Sequence, residues 1–241
     1  MIDFGIIAAG TGSRIKAEGS NLPKPLQEIE GVPMIGRLVK MMENCGAGSV
    51  SVVINSDRPE VEGYLNTLVP EMNCTLRFVS TKTPSSFHTF CELIKIMNPE
   101  DKFVVTTVDT IFDSKDFQGY VECFTNVPER IDGLMGVTSY IDDESPLYVK
   151  TTAHDRIISG FTDILDTGTK YVSAGVYGLR SSALPVLREC VASGISRMRN
   201  FQRKLVEAGL RLEAYDMGMV VDIDHLSDIQ KANRFLAERK K

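Results

Sequence analysis

The sequence predicts an α/β protein with one open, mainly parallel central sheet and helices on both faces of that sheet. Strand and helix patterns alternate along the chain, and the candidate strands are apolar as strands buried on both faces require. No low-complexity segment or linker rich in Pro, Gly or Ser interrupts this order. The chain has 241 residues, 43% of them hydrophobic, which suffices for a large core. We therefore expect residues 1–241 to form a single domain.

Four strands are predicted in the first half of the chain. Residues 4–9 form a short apolar strand that runs into a glycine-rich loop. Residues 50–54 are a β-branched run typical of a buried second strand, and residues 75–79 are a candidate third strand. Residues 102–108 predict an apolar fourth strand.

Two amphipathic helices are predicted between these strands. One begins at Pro33, carries apolar side chains on one face, and ends at Gly46. The other follows Ser85, because apolar side chains recur at three- and four-residue spacing from Phe87 onward. Both helices are expected to pack on the sheet.

The loop after the first strand carries the strongest functional signal. Its predicted nucleotide-binding residues are Ala8, Ala9, Gly10, Thr11, Gly12 and Ser13. The glycines let backbone N–H groups approach an anion, and Arg14 and Lys24 add the positive charge that phosphate oxygens require. An ordinary turn would explain the glycines but not these cations. A dinucleotide site is disfavoured, because Ile15 replaces the third fingerprint glycine and Asp57 comes too late to bind a ribose.

Asp109 follows the fourth strand, at the carboxyl edge where open α/β sheets bind ligands. A carboxylate that faces a triphosphate is repelled unless a divalent cation lies between them. Asp109 is therefore predicted to bind a metal. The alternative is that Asp109 caps the next helix or turn.

These segments resemble the signature of the nucleotidyltransferases that make nucleoside diphosphate sugars and similar activated compounds. The motifs that carry the resemblance are residues 8–14, residues 24–26 and residues 31–35, with Asp109 and the region 171–233. The family couples an NTP to a phosphorylated sugar or alcohol and releases pyrophosphate. The resemblance implies a Rossmann-like nucleotidyltransferase fold, an NTP-binding part over about residues 1–113 and an acceptor-binding part over about residues 130–225.

The resemblance also implies a Mg²⁺ site with two carboxylates. Asp109 matches one metal-binding position, although Val108 stands where the family typically has Gly or Asn. Asp222, at the end of a predicted late strand, matches the other, and Asp224 is a nearby alternative. Asp224 or Ser227 could instead cap the closing helix, with Ser227 and Gln230 forming a capping box. The neighbouring His225 is expected to be a surface turn residue, because Mg²⁺ disfavours imidazole.

The acceptor-binding residues implied by the resemblance are Ser173 and Gly175. They lie in a segment where the family usually has Asn-Ala-Gly, so Ser173 offers a shorter side chain than the family's Asn. The lysine that the family often uses for the sugar phosphate is missing. Lys150 or Lys170 could replace it, or both could be solvated surface charges.

Positive charge is expected to perform the catalysis, because a phosphorylated acceptor is already an anionic nucleophile. Arg14 would hold the β- and γ-phosphates, and Lys24 would bridge the α-phosphate and the acceptor. The predicted acceptor is a sugar 1-phosphate. The alternatives are a phosphocholine-type cytidylyltransferase, a non-catalytic nucleotide-binding protein, and a glycosyltransferase, which usually carries D-x-D where this chain has the single acid Asp109.

Composition favours small-molecule partners, and the resemblance implies that these are an NTP and a phosphorylated acceptor. A net charge of −5 argues against a nucleic-acid surface. No apolar run reaches the roughly 18 residues of a membrane span, and the start, with Asp3 and no basic leader, does not resemble a secretory signal. The five cysteines include no C-x-x-C pair, which favours reduced thiols over disulfides or a zinc site. We expect a cytoplasmic protein.

Overall fold

The computed structural model describes residues 2–142, 144–152 and 155–240. The strands are β1 (Asp3–Ala8), β2 (Glu28–Ile29), β3 (Val32–Pro33), β4 (Ser49–Ile54), β5 (Thr75–Ser80), β6 (Phe103–Thr107), β7 (Thr110–Ile111), β8 (Gly133–Thr138), β9 (Tyr148–Thr151), β10 (Ile158–Thr162), β11 (Tyr171–Leu179), β12 (Leu212–Asp216) and β13 (Val221–Asp222). The helices are α1 (Ser13–Ala17), α2 (Met34–Asn44), α3 (Pro59–Leu68), α4 (Ser86–Met97), α5 (Ser114–Asn126), α6 (Ala183–Ala192), α7 (Met198–Glu207) and α8 (Leu226–Arg239). Short 3₁₀ helices cover Lys24–Leu26 and Val69–Glu71.

The central sheet is mixed and mostly parallel. Its first half is the parallel set β6-β1-β4-β5. β11 pairs antiparallel with β6, β8 and β9, and so joins this set to the parallel pair β8-β12 and to the β9-β10 hairpin. In the described part of the chain, β10 and β11 run against the direction of the other strands of this sheet. The predicted fold class is confirmed.

The apolar strands bury both faces of the sheet. Successive side chains of a strand point to opposite faces, and in β1 Phe4, Ile6 and Ala8 join one core cluster whereas Ile7 joins another. The first cluster also holds buried side chains of α2, α3 and α5, and the second holds those of α4, α6 and α7. Helices therefore cover both faces, as the sequence predicts.

The two predicted helices begin and end where the sequence signals place them. α2 starts directly after Pro33, and Gly46, just beyond its end, has a φ of 81°. The side chain of Ser85 caps α4 by accepting a hydrogen bond from the backbone N–H of His88 at 3.4 Å. Among the residues described, no helix combines the length and apolar character needed to cross a bilayer. All five cysteines are free thiols.

The C-terminal region differs from the prediction in two respects. The late strand is limited to β13, which pairs with β7 outside the central sheet. The alternative in which Ser227 and Gln230 form a capping box is wrong, because α8 has His225 at its N-cap. The Oδ2 atom of Asp228 accepts hydrogen bonds from the backbone N–H groups of His225 at 2.8 Å and Asp224 at 3.1 Å. A carboxylate in the first helical turn thus satisfies these donors.

Candidate active site

Two clefts open beside the carboxyl ends of β1 and β6. The loop cleft has a volume of about 430 Å³, and the six predicted nucleotide-binding residues, Arg14 and Lys24 line it. The β11 cleft has a volume of about 560 Å³, and its walls include Ser173, Gly175 and Asp222. Asp109 lies in the walls of both clefts. The fold therefore brings every predicted site residue to one of two adjoining cavities.

The conformation of Gly12 lets the glycine-rich loop pack against Lys24. Gly12 has a φ of 60°, in the left-handed region that favours glycine, and it is the N-cap of α1. A Cβ atom at this position would lie 2.9 Å from the Cβ of Lys24. Residues 8–14 and the Lys24 segment, which are separate motifs in the sequence, are therefore one packed unit.

Lys24 is the centre of a cluster of charges. Its Nζ atom lies 2.7 Å from Asp109 Oδ2 and 2.9 Å from Asp224 Oδ1, and its side chain is only 10% exposed. Arg14 pairs with the other oxygen of Asp224. Burial alone would lower the pKa of Lys24, but the charges of Asp109 and Asp222 outweigh it and raise that pKa above its usual range. The ammonium group is therefore charged, and Asp224 links the two cations.

The pKa of Asp109 is set by the same ion pair. Burial would raise the pKa of this carboxyl, whereas the charge and the hydrogen bond of Lys24 lower it, and the net direction is downward. Asp109 is therefore an ionised carboxylate at neutral pH. Its negative charge is the state in which a carboxylate binds a divalent cation.

Asp222 reaches this region because β13 pairs with β7. In that ladder Asp222 is the partner of Thr110, and the backbone N–H of Ile223 donates to the carbonyl oxygen of Asp109 at 3.0 Å. Carboxylate oxygens are the donors that Mg²⁺ prefers, and the two aspartates line one cleft. Among the described residues no group of three His, Cys, Asp or Glu could hold a metal. The donor set fits Mg²⁺ held by two carboxylates with further oxygens from substrate.

Gly175 allows β11 to pass close to the end of β6. Its φ is 70°, and the β8–β11 register shifts between Ser173 and Tyr177. A Cβ atom at Gly175 would lie 2.5 Å from Thr110 Oγ1 and 2.6 Å from Thr107 Oγ1. These two hydroxyls lie 2.6 Å apart, on either side of Asp109 in the sequence. The glycine thus leaves room for the turn that presents Asp109.

We expect Gly175→Ala to lower both stability and turnover. The new methyl group would collide with the hydroxyls of Thr107 and Thr110, and alanine would be strained in the left-handed backbone conformation. Together these two effects should lower the free energy of unfolding by about 1–3 kcal/mol. Thermal unfolding and pyrophosphate release measure the two effects. The matched control is Gly160→Ala, because a Cβ atom at Gly160 in β10 meets nothing within 4 Å. Equal behaviour of the two variants would contradict the packing role of Gly175.

The β11 cleft contains cations that the sequence reasoning missed. Arg197 and Arg199, at the start of α7, line it, whereas Lys150 and Lys170 do not. The guanidinium of Arg199 pairs with Asp163 at 2.5 Å. The amphipathic pattern of α7 could have placed this helix on the sheet, but no motif marks its arginines as part of a site.

His88 and His225 lie outside both clefts. His88 contacts Ser85 Oγ at 2.9 Å through its Nδ1 atom. His225 contacts Glu18, which also accepts a hydrogen bond from the backbone N–H of Leu226 at 2.7 Å. The hydrogen bond with Glu18 raises the pKa of His225. His225, in a bend and with its side chain 34% exposed, therefore joins α8 to the end of α1.

Known proteins are similar to this chain in sequence and in fold. The family model described as the MobA-like NTP transferase domain matches residues 5–157. The bifunctional protein GlmU of Methanococcus maripaludis is 24% identical over 239 residues, which are 96% of this chain and 54% of that protein. The chain thus spans about half the length of this curated relative.

Solved structures extend the likeness to the whole chain. The inositol-1-phosphate CTP transferase from T. maritima matches with a TM-score of 0.80 and 14% identity, covering 100% of this chain and 97% of the other. A UDP-glucose pyrophosphorylase complexed with UDP-glucose matches with a TM-score of 0.80 and 15% identity, covering 99% of this chain and 100% of the other. At these identities the structures show a shared fold. Because the family model covers more than half of its residues, the chain belongs to the family of MobA-like NTP transferase domains.

Proposed function

We propose that the chain transfers a nucleotidyl group from an NTP to a phosphorylated acceptor and releases pyrophosphate. The observation that carries this proposal is the meeting of the two clefts at Asp109, Thr107 and Ser86, which line both. A phosphate loop on one side and a separate cavity on the other are what the in-line joining of two substrates requires. A simple nucleotide-binding protein needs the loop cleft alone.

The chain's cations supply the chemistry in this proposal. Backbone N–H groups of residues 8–13 and the guanidinium of Arg14 bind the β- and γ-phosphates. Lys24, at the junction of the two clefts, offsets the negative charge of the α-phosphate and of the approaching acceptor. The acceptor phosphate attacks without a general base, because it is anionic at neutral pH.

Asp109 and Asp222 would hold the Mg²⁺ ion. When bound, the ion neutralises charge on the α-phosphate. The chain's own part is to keep Asp109 ionised through Lys24 and to fix Asp222 opposite Thr110 through the β7–β13 ladder. Asp224 is engaged with both Arg14 and Lys24, so we place it in the positioning of these cations and not at the metal.

A sugar 1-phosphate is the acceptor that we favour. Ser173 and Gly175 of β11 line the β11 cleft, which we assign to the acceptor, and Thr107, Thr110 and Thr138 also line it. Arg197 and Arg199 provide positive charge for the acceptor phosphate in the absence of the expected lysine. UDP-glucose, bound by a protein of the same fold, is a product of this chemical class.

The test is pyrophosphate release from UTP, CTP, GTP and dTTP in the presence of sugar 1-phosphates, phosphocholine and other phosphorylated alcohols. Turnover with a sugar 1-phosphate is the expected result. Turnover with CTP and phosphocholine alone would favour the cytidylyltransferase alternative. Nucleotide binding without any pyrophosphate release would overturn the proposal, and so would sugar transfer from a nucleoside diphosphate sugar to another acceptor.

We further propose that the reaction takes place in the cytoplasm. Its substrate is an NTP, and all five cysteines are free thiols, which persist in a reducing compartment. Detection of the tagged full-length protein in the cytoplasmic fraction of its source cells would test this location.

The proposal that Asp109 and Asp222 hold the same Mg²⁺ ion gives a separate prediction. We expect Asp222→Asn to reduce metal-dependent turnover about as strongly as Asp109→Asn, and the double variant to be little worse than either. Groups that act through one ion are not additive. Pyrophosphate release over a Mg²⁺ titration measures the effect, with Asp166→Asn as the control because Asp166 forms an exposed ion pair with Lys150.

Two outcomes would contradict this pairing. Additive losses in the double variant would mean that the two aspartates have independent roles. A silent Asp222→Asn together with a severe Asp224→Asn that weakens metal binding would mean that Asp224 is the ligand and that the motif match is displaced by two residues.

A further inference from the structure

Gln202 on α7 is a buried polar residue in the wall of the β11 cleft that no motif in the sequence marks. Its side chain is 2% exposed, and the cleft is the cavity that also contains Ser173 and Gly175. The hydroxyl of Ser173 donates a hydrogen bond to Gln202 Oε1 over 3.1 Å. A strand residue and a helix residue, far apart in sequence, thus form one polar unit in the acceptor cavity.

The Ser173 hydrogen bond determines which end of the amide is engaged. With Oε1 accepting from Ser173, the Nε2 amino group is a pure donor, and the described residues provide no hydrogen-bond acceptor for it. This donor is available to a ligand in the cleft that Gln202 lines. A ligand oxygen in the cleft would satisfy it.

The surroundings of Gln202 restrict the chemistry of that ligand. Arg197 and Arg199 give one wall of the cleft positive charge, which suits a phosphate group. Thr107, Thr110 and Thr138 also line the cleft, but their hydroxyls are engaged within the protein, those of Thr107 and Thr110 with each other and that of Thr138 with the carbonyl oxygen of Gly218. A quaternary ammonium group has no hydrogen-bond acceptor for the amide.

We propose that Gln202 determines acceptor specificity by donating a hydrogen bond from Nε2 to a hydroxyl oxygen of a phosphorylated polyol or sugar. This inference rests on the proposed function and deepens it, because it assigns the recognition of acceptor hydroxyl groups to a residue of α7. Ser173 acts through Gln202 and is a positioning residue for its amide. A site built to bind a hydroxyl group discriminates strongly against a molecule that lacks it.

The experiment compares Gln202→Met, which removes the donor at similar volume, with Gln202→Glu, which replaces it by an acceptor. Gln118→Met is the matched control, because Gln118 is an exposed glutamine on α5. The acceptors are glucose 1-phosphate, N-acetylglucosamine 1-phosphate, inositol 1-phosphate and phosphocholine. NTP affinity and thermal unfolding, measured in parallel, show whether each variant is folded.

Loss of one hydrogen bond should lower kcat/KM for the hydroxylated acceptors about tenfold in Gln202→Met, and at least as much in Gln202→Glu. NTP affinity and any turnover of phosphocholine should stay unchanged. Deoxy analogues of glucose 1-phosphate provide a test in the unaltered protein. With the wild-type protein, kcat/KM for one of these analogues should be lower than for glucose 1-phosphate by the same factor of about ten. With Gln202→Met, that analogue and glucose 1-phosphate should have equal kcat/KM. Equal losses on phosphocholine, full activity of Gln202→Glu, or an unchanged preference for hydroxylated acceptors would overturn the proposal.

Failure of the proposed function would be recognised separately, as absence of pyrophosphate release by the wild-type chain with every NTP. Calorimetric titration of the wild-type chain and of Gln202→Met with the same phosphorylated acceptors would then test the proposed role of Gln202. Weaker binding of a hydroxylated phosphate to Gln202→Met would support the inference, and equal binding or no saturable binding would overturn it.

Discussion

Replacing Asp109 by alanine is expected to abolish metal-dependent nucleotidyl transfer while leaving the sheet folded. The residue follows β6 at the edge of the sheet and belongs to none of the apolar clusters. Its loss removes a proposed Mg²⁺ ligand and one of the two carboxylates that contact Lys24. Lys24 keeps Asp224 as a partner, so its buried ammonium is not left without a counter-charge. Pyrophosphate release with Mg²⁺ and thermal unfolding report the two properties.

The control for this variant is Asp57→Ala. Asp57 also follows a parallel strand of the sheet, but its carboxylate forms an exposed ion pair with Lys82. Its replacement should leave turnover unchanged, since exposed pairs contribute little. Near wild-type turnover of Asp109→Ala with Mg²⁺ would remove Asp109 from the metal site.

Lys24→Ala is expected to lower turnover by roughly 100-fold or more, as does the loss of a cationic contact to a phosphoryl transition state. Lys24 is the cation that contacts Asp109, where the two clefts meet. The fall should appear in kcat, because the charge that Lys24 offsets is greatest when both substrates are close. Steady-state kinetics with each substrate varied in turn measure it.

The Lys24 test has a matched control, an outcome that would contradict it and an expected pH dependence. Lys82→Ala removes an exposed lysine from an ion pair with Asp57 and should be silent. Unchanged kcat with a raised KM would mean that Lys24 binds ground state and transition state equally well. Because Asp109 loses a stabilising counter-charge in Lys24→Ala, the pKa of its carboxyl should rise and activity should be lost first at low pH.

The sequence predicted the parts of the fold that depend on local pattern. β1, β4, β5 and β6 have apolar or β-branched runs, and α2 and α4 have both periodicity and end signals. The pairing of β13 with β7 could not be derived in this way, because two-residue ladders carry no periodicity. The capping of α8 by Asp228 was missed since Ser227 offered an equally good local pattern.

The same distinction between local pattern and long-range contact applies to the residues of the candidate site. The glycine-rich loop, Lys24 and Asp109 are recognisable because their chemistry is carried by short contiguous motifs. The role of Asp224 as a bridge between Arg14 and Lys24 depends on side-chain contacts across the whole fold. Gln202 belongs to the same class, because its partner Ser173 lies on a different element of the β11 cleft.

The small apolar cluster that includes Val221 of β13 bears on the dynamics of the site. This cluster is separate from the two that flank the central sheet, and its buried members are Ile15, Ile29, Met34, Ile111, Val221, Ile223, Ala232, Phe235 and Leu236. It joins α1, which carries Arg14, to α8 and to the segment that carries Asp222 and Asp224. A unit with its own small core can open while the rest of a protein stays folded. If an NTP binds only while this unit is closed, its binding stabilises the unit by mass action, and its affinity then includes the free energy of keeping the two ends of the chain together.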